Sequence, residues 1–178
     1  MTKILAICGS PRKGNTEFML KTLLKAAAEK GAETELILLR KYNIQPCTGC
    51  DVCFGTQMPC TIKDDMTEIY DDLQETDIIV LGSPNYFKNV SSLMKTFMDR
   101  TNAIVNPPKL KGKKAVIVCV GGQDIDNIKF CEKALKEFIK DHEMEFISSV
   151  LAKAESPGDL INNKLIIKKL KELGEEIS

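Results

Sequence analysis

Short runs of apolar residues alternate along this chain with longer segments in which apolar positions recur at helical spacing. The short runs have strand length and no polar alternation, which predicts five buried strands, at residues 4–8, 36–39, 78–81, 115–120 and 146–151. The helical periodicity predicts helices between and after them, at residues 16–30, 66–75, 91–101, 128–142 and 160–173.

Strand and helix therefore alternate through the whole sequence. Parallel strands need crossover connections, and crossover helices cover both faces of a sheet, so the alternation predicts a three-layer, doubly wound α/β fold. Five strands suggest the flavodoxin-like order 2-1-3-4-5. Ligands bind such sheets beyond the carboxyl ends of the strands, where the strand order reverses, so the loops after strands one, three and four should build the site.

Length, charge and apolar content narrow the range of functions. The 178 residues predict a single domain over 1–178, and the 25 basic and 25 acidic side chains leave no net field to attract nucleic acid or a membrane surface. No apolar stretch is long enough to span a bilayer, and no signal-peptide pattern precedes the first strand. We therefore expect a cytoplasmic protein, whose seven cysteines are reduced thiols or metal ligands.

The loop after the first strand has the composition of a phosphate-binding loop. It runs from Gly9 to Thr16 as Gly-Ser-Pro-Arg-Lys-Gly-Asn-Thr and leads directly into a helix, whose N-terminal N–H groups can bind an anion. Ser10, Asn15 and Thr16 can add neutral donors, and Arg12 can add positive charge. Asn15 stands where a Walker A loop has lysine, which argues against a nucleotide triphosphatase. The alternative is an ordinary turn that caps the helix.

A second candidate loop follows the third strand and carries two adjacent aromatic residues. It reads Gly-Ser-Pro84-Asn85-Tyr86-Phe87, and Ser91 is positioned to cap the next helix. Such a loop can give a flat heteroaromatic ring an apolar wall and backbone hydrogen bonds. The alternative is that the aromatic pair only closes the core beneath the strand end.

Four cysteines lie in an unusually long connection, the cysteine loop of residues 40–64. Their spacing, C-x2-C-x2-C-x6-C, is closer to the compact run that binds an iron-sulfur cluster than to the paired knuckles of structural zinc, with free thiols as the other alternative. The four residues are Cys47, Cys50, Cys53 and Cys60. The remaining three cysteines lie in predicted strands or a helix, where cysteine usually packs as a small apolar residue: Cys8, Cys119 and Cys131.

Together the phosphate loop and the aromatic loop resemble those of the NADPH-dependent FMN reductase family of flavodoxin-like proteins. The resemblance implies that FMN is the cofactor, with its phosphate held by Ser10, Arg12, Asn15 and Thr16. It also implies that the isoalloxazine ring is held by Pro84, Asn85, Tyr86 and Phe87, and by a third loop containing Gly121 and Gly122. Many relatives have a small or aliphatic residue in place of Asn85.

The cysteine motif resembles that of the archaeal and anaerobic iron-sulfur flavoproteins within this family, in which it ligates a 4Fe-4S cluster beside FMN. This resemblance implies electron transfer between a carrier such as ferredoxin and FMN, in a homodimer or homotetramer. The alternative is an NAD(P)H-dependent FMN or quinone reductase in which the cysteines are incidental. A third hypothesis is a binding protein that is stabilised by zinc or uses its thiols and does not bind flavin. Flavin chemistry needs no protein acid or base, so we assign no catalytic side chain.

Overall fold

A five-stranded, wholly parallel sheet forms the centre of the computed structural model, which describes residues 1–178. Its strands are β1 (Lys3–Cys8), β2 (Glu33–Leu38), β3 (Ile78–Pro84), β4 (Lys114–Gly121) and β5 (Glu145–Lys153). The spatial order is β2-β1-β3-β4-β5, so the predicted flavodoxin-like topology is confirmed.

Helices cover both faces of the sheet and form two apolar layers. They are α1 (Asn15–Glu29), α2 (Val52–Thr56), α3 (Met66–Glu75), α4 (Ser92–Arg100), α5 (Ile125–Asp141) and α6 (Lys164–Glu176). One buried cluster joins the sheet to α3, α4 and α5, and a second of similar size joins it to α1 and α6. Successive residues of β1 point alternately into the two clusters, which confirms the three-layer arrangement. No helix has both the length and the apolar character required to cross a membrane.

Several elements differ from the sequence prediction, and two of the differences have a clear local reason. β2 begins at Glu33, because an edge strand can expose polar side chains that an apolar run does not include. α6 begins at Lys164 because the Asn163 side chain caps it by accepting from the backbone N–H of Ile166. The short α2 lies inside the cysteine loop, where no helix was predicted.

Candidate functional site

A cavity of about 200 Å³ lies at the carboxyl ends of β1, β3 and β4. The strand order reverses at this edge, which is where open α/β sheets bind ligands. Phe87 is the one residue of the predicted flavin set that does not line the cavity. The other nine do: Ser10, Arg12, Asn15, Thr16, Pro84, Asn85, Tyr86, Gly121 and Gly122.

The N-terminus of α1 forms one end of this cavity. Gly14 occupies the N-cap position in an extended conformation and provides no side-chain cap, and its carbonyl accepts from the Phe18 N–H at 3.0 Å. The N–H groups of Asn15, Thr16 and Glu17 donate to no atom of the chain. Uncapped N–H groups at the positive end of a helix bind anions, so this end of the cavity is suited to a phosphate.

The Asn15 side chain holds a neighbouring loop and does not project a free amide into the cavity. Its Nδ2 donates to the Ser156 carbonyl at 2.8 Å, and its Oδ1 accepts from the Gly158 N–H at 3.0 Å. Asn15 can therefore offer a phosphate its backbone N–H, while its side chain fixes the loop after β5. Similarly, the Ser10 hydroxyl donates to the Arg12 carbonyl at 2.7 Å and shapes the loop from within.

The aromatic loop after β3 is a tight reversal of the chain. Tyr86 and Asn89 exchange backbone hydrogen bonds of 2.9 and 3.0 Å, and the two residues between them, Phe87 and Lys88, have positive φ angles of 50° and 61°. This geometry turns Tyr86 toward the cavity and leaves Phe87 fully exposed outside it. Tyr86 is thus the aromatic wall that the loop provides, whereas both aromatics were expected to contact the ring.

Asn85 lines the cavity with an amide whose hydrogen bonding is incomplete. Its Nδ2 donates to Asn127 Oδ1 at 2.8 Å, and Asn127 is itself fixed near the start of α5 by its N–H bond to Asp124. Asn85 Oδ1 is buried and has no partner in the chain. A buried acceptor without a donor destabilises the folded protein, and a ligand that supplies an N–H or O–H group would satisfy it. The cavity therefore fits a cofactor that has a phosphate at one end and hydrogen-bonding groups at the other.

Hydrogen bonds join the phosphate loop to the aromatic loop. The buried Ser91 hydroxyl donates to the Gly9 carbonyl and caps α4 by accepting from the Met94 N–H at 3.1 Å, which confirms Ser91 as the N-cap. Its N–H donates to Ser83 Oγ at 3.0 Å. A Cβ atom on Gly9 would lie 2.7 Å from the Met94 Cβ, so only glycine allows α4 to approach β1 this closely. The two loops thus form one rigid unit.

The four cysteines of the cysteine loop differ in exposure. Cys47 and Cys50 are exposed, Cys53 is buried in α2, and Cys60 is half-buried. The structure does not bring three of them into an arrangement that could hold a metal ion. The cysteines outside the loop are all buried, as predicted: Cys8, Cys119 and Cys131.

Each sulfur of the cysteine loop nevertheless has a polar neighbour. The Gly49 N–H lies 3.5 Å from Cys47 Sγ, and Thr61 Oγ1 lies 3.7 Å from Cys50 Sγ. The other two contacts come from outside the loop: Arg100 Nη2 lies 3.7 Å from the sulfur of Cys60, and Asn102 Nδ2 lies 4.0 Å from that of Cys53. Four soft ligands surrounded by hydrogen-bond donors have the chemistry of an iron-sulfur site, although their geometry here is open.

The pKa values of two of these thiols shift in opposite directions. A hydrogen bond from the Val52 N–H, together with one from Thr61, lowers the pKa of Cys50 below its ordinary value. Burial raises the pKa of Cys53, and the neighbouring Cys60 raises it further. The exposed thiol therefore ionises more readily than the buried one.

A wider groove of about 650 Å³ opens beside Cys47, between α4 and α5. Its wall carries the carboxylates of Glu137 and Asp141, which would repel a phosphate. It has no uncapped helix N-terminus at its edge. Volume alone would favour this groove for a nucleotide, but charge and hydrogen bonding favour the smaller cavity.

Comparison with known proteins identifies the family of the chain. Residues 2–157 match the family model of NADPH-dependent FMN reductase, which is most of the chain. The chain belongs to this family. Membership makes it a flavin-dependent oxidoreductase, as the two loop motifs predicted.

Several similar proteins are named iron-sulfur flavoproteins, the group whose cysteine motif this chain resembles. An iron-sulfur flavoprotein of Methanocaldococcus jannaschii is 32% identical over 99% of this chain and 95% of its own length. An iron-sulfur flavoprotein of Archaeoglobus fulgidus is 40% identical over 68% of this chain and 63% of its own. Among solved structures, the NAD(P)H:quinone oxidoreductase of Methanothermobacter marburgensis superposes with a TM-score of 0.74 at 13% identity, over 99% of this chain and 96% of that one. That similarity concerns the fold.

Several site residues of this FMN reductase family member were not found from sequence. The loop after β5 contains no recognisable motif, yet three of its residues line the cavity: Ala154, Glu155 and Pro157. The last helix was predicted from residue 160, whereas α6 begins at Lys164, so the prediction shortened the loop after β5 without covering these three residues. Only the expected strand end at residue 151 could have pointed to it, because all strand ends of a parallel sheet share one edge.

Proposed function

We propose that this protein binds FMN in the 200 Å³ cavity. The phosphate would lie at the uncapped N-terminus of α1, with Arg12 adding positive charge. The isoalloxazine would lie against Tyr86 and the glycines after β4, next to the unsatisfied amide of Asn85. The observation that carries the proposal is that one cavity contains both the free N–H groups of α1 and a buried oxygen, Asn85 Oδ1, that has no hydrogen-bond donor.

We further propose that the cysteine loop holds a 4Fe-4S cluster and that the protein passes electrons between a carrier such as ferredoxin and FMN. The ligands would be Cys47, Cys50, Cys53 and Cys60. When bound, the cluster would supply one-electron chemistry and the flavin one- or two-electron chemistry. Support comes from the polar neighbours of all four sulfurs and from the names of the archaeal relatives.

The chain's own residues would bind, orient and shield these groups without acting as acids or bases. The single histidine, His142, is buried at the end of α5 against Phe138, and burial lowers its pKa to about 4. It is therefore neutral at physiological pH and does not line the proposed flavin cavity. The protein's contribution would be the positioning of redox groups and the tuning of their potentials. We place it in the cytoplasm as a homodimer or homotetramer.

A second candidate function is an NAD(P)H-dependent FMN or quinone reductase without a cluster. Two observations favour it: the family description names NADPH, and the cysteines are not gathered around a metal position. In this case hydride would reach the flavin directly, and the cysteine loop would have no redox role.

Anaerobic stopped-flow spectroscopy separates the two candidates. The purified protein is mixed with reduced ferredoxin or with NADPH, and loss of the visible flavin absorbance is followed in the wild type, in Cys50→Ser and in a matched control, Thr56→Ser, from the same loop. Bleaching by ferredoxin that Cys50→Ser abolishes and Thr56→Ser preserves would support the electron-transfer function. Rapid bleaching by NADPH that is equal in all three proteins would replace it with the reductase.

A further inference from the structure

Arg100, the last residue of α4, is a buried cation that joins the two ends of the cysteine loop. Its side chain is 0% exposed. Nη1 donates to the Gln45 carbonyl at 2.8 Å, before the first cysteine, and Nη2 donates to the Ile62 carbonyl at 3.4 Å, after the last. Both nitrogens also bind the buried carboxylate of Asp64. One guanidinium thus closes the cysteine loop at its base.

The ion pair between Arg100 and Asp64 is strongly locked in its charged form. Burial is the largest single effect on the pKa of Arg100 and lowers it, but the hydrogen bond to Asp64 and the neighbouring negative charges together outweigh burial and raise the pKa. Burial likewise raises the pKa of Asp64, and the hydrogen bonds from Arg100, Gln45 and Met66 reverse this and lower it. The guanidinium beside Cys60 therefore stays charged, within a pair whose net charge is zero.

Closing a loop does not by itself require a buried charge. A buried ion pair pays a large desolvation cost, and apolar residues of similar volume often stabilise a fold as well or better. The position of Arg100 Nη2 indicates a function for the charge. Arg100 Nη2 lies 3.7 Å from Cys60 Sγ, and Asn102, two residues further on, lies 4.0 Å from Cys53 Sγ. The segment following α4 thus presents N–H donors to two of the four sulfurs.

We propose that Arg100 is a positioning residue that sets the reduction potential of the group bound by the cysteine loop, with Asn102 as its weaker partner. This inference rests on the proposed iron-sulfur function. Reduction adds negative charge to a thiolate-bound cluster, and a fixed cation with an N–H donor beside a ligating sulfur stabilises the reduced state. Arg100 therefore favours reduction of the cluster, in addition to holding the loop closed.

The test removes both charges of the buried pair together, so that the pair stays neutral overall. The double variant Arg100→Gln with Asp64→Asn leaves no uncompensated ion, and Arg100→Lys retains the charge but loses the planar fork. Arg40→Lys is the matched control, because Arg40 is also mostly buried and bonds to one carboxylate, that of Glu17, but makes no hydrogen bond to any of the four sulfurs of the cysteine loop. For each protein, iron and sulfide per chain, the cluster potential and the unfolding temperature are measured anaerobically.

We expect the double variant to retain iron but to show about a tenfold lower ratio of reduced to oxidised cluster at a fixed poise, equivalent to about 59 mV for a one-electron couple. Arg100→Lys should show about a threefold lower ratio, and Arg40→Lys no change. If the double variant does not fold or loses its iron, the cluster potential of Arg100→Lys becomes the test. A variant that keeps the wild-type iron content and the wild-type cluster potential would overturn the inference. Arg100 would then only hold the cysteine loop closed. Absence of iron from the wild type would instead refute the proposed function beneath it.

Discussion

Asn85 is the cavity residue whose hydrogen bonding is incomplete within the chain. We expect Asn85→Val to weaken FMN binding by about fivefold, because a single net hydrogen bond contributes about 1 kcal/mol. The flavin potential should shift as well, since the amide is held beside the proposed ring position by Asn127. Quenching of FMN fluorescence and a redox titration measure the two effects.

The matched control for Asn85 is Asn89→Ser, an exposed change in the same loop but outside the cavity. It should leave both FMN affinity and potential unchanged. An Asn85→Val affinity within a factor of two of the wild type, with an unaltered potential, would show that the amide does not contact the cofactor.

His142 provides a prediction about stability and pH. Burial lowers its pKa from an ordinary 6.5 to about 4 in the folded protein. Between these values the unfolded chain binds a proton that the folded chain does not, so stability falls as the pH decreases through this window. The wild type should lose about 2 kcal/mol from this group between pH 7 and pH 5.

Denaturant unfolding at pH 7 and pH 5 tests this prediction by comparing the wild type with His142→Gln, which cannot titrate. The neighbouring hydroxyl of Thr101 lies 2.9 Å from His142 Nε2 and can hydrogen bond with either side chain. The variant should therefore lose about 2 kcal/mol less than the wild type over the same interval. Equal losses would mean that His142 has the same pKa in the folded and the unfolded protein.

At the residue scale, sequence predicted the positions whose roles come from local motifs. The phosphate and aromatic loops lie immediately after strands, so nine of the ten residues predicted to hold flavin could be placed at the observed cavity from strand ends. The remaining residues act through partners far along the chain: Asn85 and Asn127 are 42 positions apart, and Cys60 and Arg100 are 40 apart. No local pattern encodes such pairs. Asp64 accepts from the N–H of Met66, its neighbour in sequence, but its main partner is the distant Arg100.

At the scale of elements, α1 has an N-terminus that its own sequence leaves uncapped. Gly14 has an extended backbone, φ −174°, and its nearest neighbour to an added Cβ is 4.0 Å away, so a side chain fits there. Asp at this position would accept from the free N–H groups that we assign to the FMN phosphate. We expect Gly14→Asp to stabilise the protein without cofactor by about 1 kcal/mol and to weaken FMN binding by more than about tenfold.

Riboflavin, which lacks the phosphate, is the control ligand for this variant. Its affinity should change far less than that of FMN. An equal loss of affinity for both ligands would place the phosphate elsewhere and point to a general distortion of the cavity.

Strands and helices could be predicted where the apolar periodicity is strong. They could not be predicted where their formation depends on tertiary contacts. All five strands and five of the six helices follow from apolar patterns. The exception, α2, spans only Val52–Thr56 and is flanked by left-handed residues at Asp51 and Gln57. A helix of this length is not stable by itself. It buries Cys53 next to the turn that follows α4, so its formation depends on the packed loop.

On the scale of the whole molecule, α4 connects the two candidate redox sites. Its N-terminal cap, Ser91, fixes the phosphate and aromatic loops, and its last residue, Arg100, closes the cysteine loop. Nine residues of helix separate them, a length of about 14 Å. The fold thereby places the cavity and the cysteine loop at opposite ends of one rigid element. The predicted single-domain organisation and homo-oligomer remain predictions.

The most direct test of the account is the cofactor content of protein purified without oxygen. Iron, sulfide and FMN are quantified on one sample, alongside the visible spectrum, for the wild type and for Cys50→Ser. We predict about four iron and about four sulfide per FMN in the wild type, and loss of iron with retention of FMN in Cys50→Ser. Wild-type protein that contains FMN but no iron would contradict the electron-transfer account and favour the reductase, and colourless protein would contradict flavin binding altogether.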